Sequence, residues 1–161
     1  MARKKLIVIT GTPGTGKSTV AKALAPTLQL TRLNLHHYYK QISDKYNTKK
    51  KCYDINFTKL KRLVQKKLIE SKNGLIIDSH IAHRLPRKLV DICIVLTCFD
   101  LKKLQQRLQK RKYFQKKIRE NLESEIFQVC LTQAQEQGHQ ILVFDTSTKL
   151  EINKIVAKLK K

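Results

Sequence analysis

Eight residues near the start constrain this chain more than any others. Gly11-Thr-Pro-Gly-Thr-Gly16-Lys17-Ser18 satisfies G-x-x-x-x-G-K-[ST] without a gap. At average residue frequencies a chance match in a chain this long is about half a percent. The apolar run Leu6-Ile-Val-Ile-Thr10 leads straight into the motif, and a helix-forming stretch follows. A glycine loop between a buried strand and a helix places the chain among α/β folds. An ordinary glycine turn is the alternative, and it would not require the Lys-Ser pair.

The rest of the chain agrees with that class. Five runs read as strands: Lys5–Thr10, Thr31–Leu35, Leu75–Asp78, Ile92–Thr97 and Gln140–Phe144. The first, third, fourth and fifth are nearly continuous in apolar residues, as in strands covered on both faces of a parallel sheet. Helical periodicity lies between them. Gly16–Leu28, Asn56–Glu70, Leu101–Lys110 and Gln115–Gln137 are predicted helices, the last with Ile118, Leu122, Ile126 and Val129 facing the core and Gly138 as its stop. Thr148-Lys-Leu-Glu151 reads as a capping box that opens a final helix. The polar, lysine-rich stretch Tyr39–Tyr53 is predicted to be irregular. Alternating strands and helices give a three-layer sandwich in one domain of 161 residues.

The loop chemistry follows from geometry. Glycines let successive backbone N–H groups turn inward on phosphate oxygens, and the helix behind adds its positive end. Lys17 reaches for the β- and γ-phosphates and Ser18 for Mg²⁺. A carboxylate is then required at the end of a neighbouring strand, and Gly74-Leu-Ile-Ile-Asp78 supplies it. Asp145 ends the fifth strand similarly and reads as a cap. His80, two residues after Asp78, is a candidate for orienting water or relaying a proton near neutral pH.

Charge points to anionic partners. Lys and Arg number 34 against 12 Asp and Glu, a formal net charge of +22. Such an excess suits a nucleotide, RNA or an acidic surface, although a lysine-biased proteome gives the same total. Leu101–Arg119 holds nine Lys and Arg and no acid, with Lys103, Arg107 and Arg111 at four-residue spacing. Lys49–Lys51 and Lys158–Lys161 are the other basic clusters. No apolar run approaches the ~20 residues of a membrane span. Arg3-Lys-Lys5 precedes an apolar run too short for a signal peptide. Cys52, Cys93, Cys98 and Cys130 lack metal-ligand spacing and read as free thiols of a reducing cytosol or nucleus.

The motifs together resemble a known family. Gly11–Ser18, Asp78-Ser-His80, Arg107-Leu-Gln-Lys-Arg111-Lys-Tyr113 and Lys117-Ile-Arg-Glu-Asn121-Leu-Glu-Ser-Glu125-Ile-Phe-Gln-Val129 are similar to the sixth-isoenzyme type of adenylate kinase. That family comprises small nuclear and archaeal nucleoside monophosphate kinases linked to maturation of the small ribosomal subunit. The resemblance implies a five-stranded parallel sheet of order 2-3-1-4-5, a monophosphate-binding insert near 34–56 and a lid near 110–120. It implies ATP and Mg²⁺ as cofactors. The candidate ATP-binding set is Gly11, Pro13, Gly14, Thr15, Gly16, Lys17, Ser18, Thr19, Arg107 and Arg111. Lys17, Asp78, His80 and Arg111 are the candidate catalytic residues, and Ser18 and Asp78 the candidate metal residues. The implied reaction is γ-phosphoryl transfer from ATP to AMP or a related monophosphate by a monomer or weak oligomer. The alternative is a ribosome-assembly ATPase, or a factor binding ribosomal protein or rRNA with little monophosphate kinase activity.

This chain also departs from the family pattern. His36-His37 stands where the family has Gly-Asp, Lys40 where it has arginine, and Lys112 where the lid has glycine. The acidic run of the insert is replaced by Lys45–Lys51. Lysine binds phosphate as a point charge and lacks arginine's bidentate fork. The phosphate-loop half matches the family, and the acceptor half is altered.

Overall fold

The computed structural model describes residues 3–161. Its main sheet joins five parallel strands: β1 (Lys5–Thr10), β2 (Thr31–Leu33), β5 (Gly74–Asp78), β6 (Ile92–Thr97) and β7 (Ile141–Asp145). Their spatial order is β2-β5-β1-β6-β7, which is 2-3-1-4-5 when main-sheet strands are counted along the chain. Among the described residues six α-helices complete the layers: α1 (Lys17–Thr27), α2 (Phe57–Glu70), α3 (Leu101–Lys110), α4 (Gln115–Ile126), α5 (Val129–Glu136) and α6 (Ile152–Leu159).

The central strands are apolar throughout because both faces are covered. On one face Leu6, Val8, Leu75, Ile77, Cys93 and Val95 pack with α2 and α5 through Leu60, Val64 and Ala134. On the other, Ile7, Ile9, Ile76 and Ile94 pack with Val20, Leu24 and Ile155 of α1 and α6. A smaller cluster, Cys98, Leu104, Leu108 and Ile118, ties α3 to α4 beside the loop.

Four expectations need correction. First, β7 is an edge strand paired only with β6, and Val143 is 39% exposed, so it is not covered on both faces. Second, the stretch 39–53 is not wholly irregular. It holds an antiparallel hairpin, β3 (Ser43–Asn47) and β4 (Cys52–Ile55), with Tyr46 opposite Tyr53 and the two rings edge to face at 5.0 Å. β3 reads Ser-Asp-Lys-Tyr-Asn, with no alternating apolar residues, so alternation gave no sign of it. Third, the long helix over 115–137 breaks at Phe127–Gln128, where Gln128 takes a left-handed φ of 50°. The break leaves Ile126 and Phe127 exposed and puts Glu125 in the buried position. Fourth, Thr148–Glu151 makes no capping box: Glu151 is the N-cap of α6 and accepts no side-chain cap bond. Asn56, by contrast, caps α2 by accepting from the Lys59 N–H. No helix among the described residues is long and apolar enough to cross a membrane.

Candidate active site

The carboxyl ends of β1 and β5 open onto one cavity of about 1320 Å³. That exceeds the roughly 300–1,000 Å³ of an ordinary single-ligand pocket. Its floor is the loop between β1 and α1. Gly11 has φ 147°, and a Cβ there would stand 2.4 Å from the Leu96 carbonyl oxygen, so only glycine lets the loop leave the sheet here. Gly14 has φ 91°, and a Cβ there would press on Leu104 of α3 at 3.0 Å. Thr15 closes the turn by donating from its backbone N–H and hydroxyl to the Thr12 carbonyl, at 3.2 and 2.8 Å.

Lys17 folds back over this loop. Its Nζ donates to the carbonyls of Gly11 at 2.9 Å and Thr12 at 3.1 Å. Burial, with the nearby Arg111 charge adding to it, pushes its pKa down to about 8. The ammonium is thus held over the loop with two neutral carbonyl acceptors and no carboxylate bound to it.

Asp78 ends β5 and is 3% exposed. Its Oδ2 accepts from the Ser18 hydroxyl at 2.9 Å. Its two oxygens also accept from the Arg32 fork, Oδ1 from Nε at 2.8 Å and Oδ2 from Nη2 at 2.9 Å. Arg32 lies on β2, the neighbour of β5 in the sheet. Residue spacing gives no sign of this pair, because parallel pairing brings together positions 46 apart. Ser18 and Asp78 form a hydroxyl–carboxylate oxygen set of the kind Mg²⁺ takes alongside substrate phosphates, and in that chemistry the residues fit the ion.

His80 sits on the cavity wall with its edge open to the cleft. Enclosure by the walls, then the charge of Lys17, lowers its pKa to about 4, so the imidazole is neutral at pH 7. Beside it His83 is 1% exposed; its Nδ1 meets the Thr10 hydroxyl at 2.7 Å and its Nε2 the Gln133 amide oxygen at 2.7 Å. Tyr39 Oη lies 3.2 Å from Ser79 Oγ on the same side.

Glu125 is the residue that sequence reasoning passed over. It is 4% exposed and accepts from the Thr12 hydroxyl at 2.6 Å and the Cys98 backbone N–H at 2.7 Å. One carboxylate therefore ties α4, the end of β6 and the phosphate loop together. An acid on the core-facing side of a helix was the available signal, hidden by the expectation that the helix ran on.

The predicted site residues divide as follows. Pro13, Gly14, Gly16, Lys17, Ser18, Asp78, His80 and Arg111 all line the cavity. Gly11 and Thr15 are buried behind it as loop supports, and Thr19 is exposed on α1 away from the lining. Arg107 stands at the back of the loop, where Nη1 donates to the Gly14 carbonyl at 3.3 Å and Nη2 to the Thr146 carbonyl at 2.7 Å. Asp145 caps a loop rather than a helix, accepting from the N–H groups of Phe99 and Ser147. All four cysteines are free.

The cavity walls are cationic, with eight Lys and Arg against three Asp and Glu. Lys49, Lys50 and Lys51 come from the hairpin turn, Arg111 from the α3–α4 turn, and Lys116 and Lys117 from the first turn of α4. The two turns meet where the Lys51 ammonium lies 5.6 Å from the centre of the Phe114 ring. Lys112, just after α3, takes a left-handed φ of 57°.

Sheet order, phosphate loop and strand-end carboxylate define an α/β protein of the P-loop kinase class. A solved shikimate kinase from Bacteroides thetaiotaomicron superposes with a TM-score of 0.61 at 17% identity, covering 97% of this chain and 96% of that one. The family model described as AAA domain matches residues 7–128. Curated relatives from several organisms carry the name adenylate kinase isoenzyme 6 homolog. The one from Schizosaccharomyces pombe is 39% identical over 132 residues, 81% of this chain and 74% of the relative. The one from Dictyostelium discoideum is 35% identical over 153 residues, 93% of this chain and 86% of the relative. The chain belongs to this family of adenylate kinase isoenzyme 6 homologues.

Proposed function

We propose that the chain transfers the γ-phosphoryl group of ATP to a nucleoside monophosphate, with AMP as the first candidate acceptor. The observation that carries this reading is the convergence of Lys17, Ser18, Asp78, His80 and Arg111 on a cavity with room for donor and acceptor together. In the step, the bond from the γ-phosphorus to its bridging oxygen breaks. A phosphate oxygen of the acceptor bonds to phosphorus, and ADP leaves with the bridging oxygen's electrons.

Each residue's part follows from its position. The loop N–H groups and the Lys17 ammonium bind the β- and γ-phosphates, Lys17 exchanging the Gly11 and Thr12 carbonyls for phosphate oxygens. Arg111 adds fixed positive charge from the lid side, where charge redistributes during transfer. Arg107 serves ATP from behind, through the Gly14 carbonyl that it holds. Ser18 and Asp78 would hold Mg²⁺, which would supply positive charge to neutralise the phosphates during transfer. Neutral His80 orients the acceptor or accepts a proton from an attacking water.

A second reading has its own support. The acceptor side carries Lys49–Lys51 in place of the family's acidic run, and the net charge is +22. Those features favour an ATPase that engages rRNA or a ribosomal protein of the small subunit, with water as acceptor. Both readings use the same phosphate loop. Lys17→Ala is expected to abolish turnover while leaving the fold intact, because the Lys17 side chain bends over the phosphate loop and belongs to none of the hydrophobic clusters. Turnover within a factor of two of wild type would overturn both readings.

A further inference from the structure

We propose that Arg32 is a built-in counter-ion for Asp78 that competes with Mg²⁺, so that nucleotide binding by this chain depends only weakly on the divalent cation. The proposal rests on the reading of Asp78 as the cation-supporting carboxylate of the nucleotide site.

The geometry is specific. Arg32 Nε and Nη2 donate in parallel to the two oxygens of Asp78 at 2.8 and 2.9 Å, the paired arrangement in which a guanidinium matches a carboxylate best. Ser18 supplies a third bond to Oδ2 at 2.9 Å. Lys17 and His36 also face this carboxylate, and neither is hydrogen-bonded to it. Asp78 is 3% exposed and the Arg32 side chain 20% exposed, so little water screens the pair. Asp78 therefore has a full positive charge bonded to it before any metal arrives. A divalent ion, or the water it carries, must share or displace that guanidinium to gain the carboxylate.

The pair is also fixed by the fold. β2 and β5 run parallel, with Arg32 opposite Ile76, two residues before Asp78. The reach of an arginine along the strand brings its fork to the strand end where Asp78 stands. A shorter or uncharged side chain at this position would leave Asp78 buried with Ser18 as its one remaining hydrogen-bond donor. Mg²⁺ would then be the available counter-charge, and binding of nucleotide and metal would become strongly coupled.

The test is titration calorimetry of ATP into wild type and Arg32→Met, each with excess MgCl₂ and with EDTA. Wild-type affinity is expected to differ less than about threefold between the two conditions, and Arg32→Met about tenfold or more, mostly through weak binding in EDTA. An equal or smaller ratio in the variant would overturn the proposal. Thermal melting without nucleotide gives a second readout. The melting midpoint of Arg32→Met is expected to rise with MgCl₂ alone, while wild type and the Arg32→Met/Asp78→Asn double variant stay flat. A flat Arg32→Met would count against the proposal. If Arg32→Met fails to fold, Arg32→Lys, which keeps the charge and loses the fork, should show an intermediate affinity ratio; a wild-type ratio there overturns the idea. Absence of ATP binding in every protein would refute the nucleotide reading instead, and the MgCl₂ melts would still decide the role of Arg32.

Discussion

Lys17 titrates in the range where binding experiments are run, and ATP should change that. In the free protein burial holds its pKa at about 8, below the usual lysine value of 10.5. Phosphates bind the ammonium form, so a bound nucleotide raises this pKa well above the free value. The sign follows: neutral Lys17 must take up a proton when ATP binds, and affinity falls as pH rises through 8. With a free pKa near 8, uptake is about 0.25 proton at pH 7.5 and about 0.75 at pH 8.5, and affinity drops roughly tenfold between pH 7 and pH 9. Calorimetry in two buffers of different ionisation enthalpy measures the uptake directly. Lys17→Met should show none of it. Uptake that is flat or falls over this range would refute the assignment of Lys17 to the phosphates.

Three further outcomes follow from the structure. Glu125→Ala should destabilise the fold by about 2–4 kcal/mol, since the Thr12 hydroxyl and Cys98 N–H lose a charged acceptor; denaturant melts check this, and Glu125→Gln should recover most of the loss. Lys112→Gly should raise the melting midpoint by about 1–3 °C, because the residue at φ 57° is released from left-handed strain; no change or a fall would show the strain to be absent. His80→Ala should lower turnover while ATP affinity, read by calorimetry, stays within about twofold, and equal losses in both would assign the ring a structural role.

Much of the scaffold was legible along the chain, and the reasons are local. β1, β5 and β6 announce themselves as continuous apolar runs because helices cover both their faces. The phosphate loop is legible because its glycines meet backbone constraints that other residues fail. Asp78 stands out as the acid that ends such a run. What stayed hidden depends on contacts between distant positions. Arg32 looks like a lone basic residue in a short strand until β2 is laid beside β5. Glu125 shares a helix side with Ile118 and Leu122, but nothing local shows that its carboxylate meets the Thr12 hydroxyl and the Cys98 N–H, partners far away in the chain. The hairpin at 43–55 sets Tyr46 and Tyr53 among mostly polar residues and gives no period. β7 reads as fully covered although it is an edge, since an apolar strand does not say how many neighbours it has.

The central claim is that this site moves a phosphoryl group from ATP to a nucleoside monophosphate. It is tested most directly by chromatographing products after incubation with ATP, Mg²⁺ and each monophosphate in turn, beside ATP alone. The account predicts diphosphate of the acceptor and ADP in equal amounts, with AMP first among the acceptors and little ADP in its absence. ADP forming equally fast without any monophosphate would contradict the kinase reading and leave the chain as an ATPase.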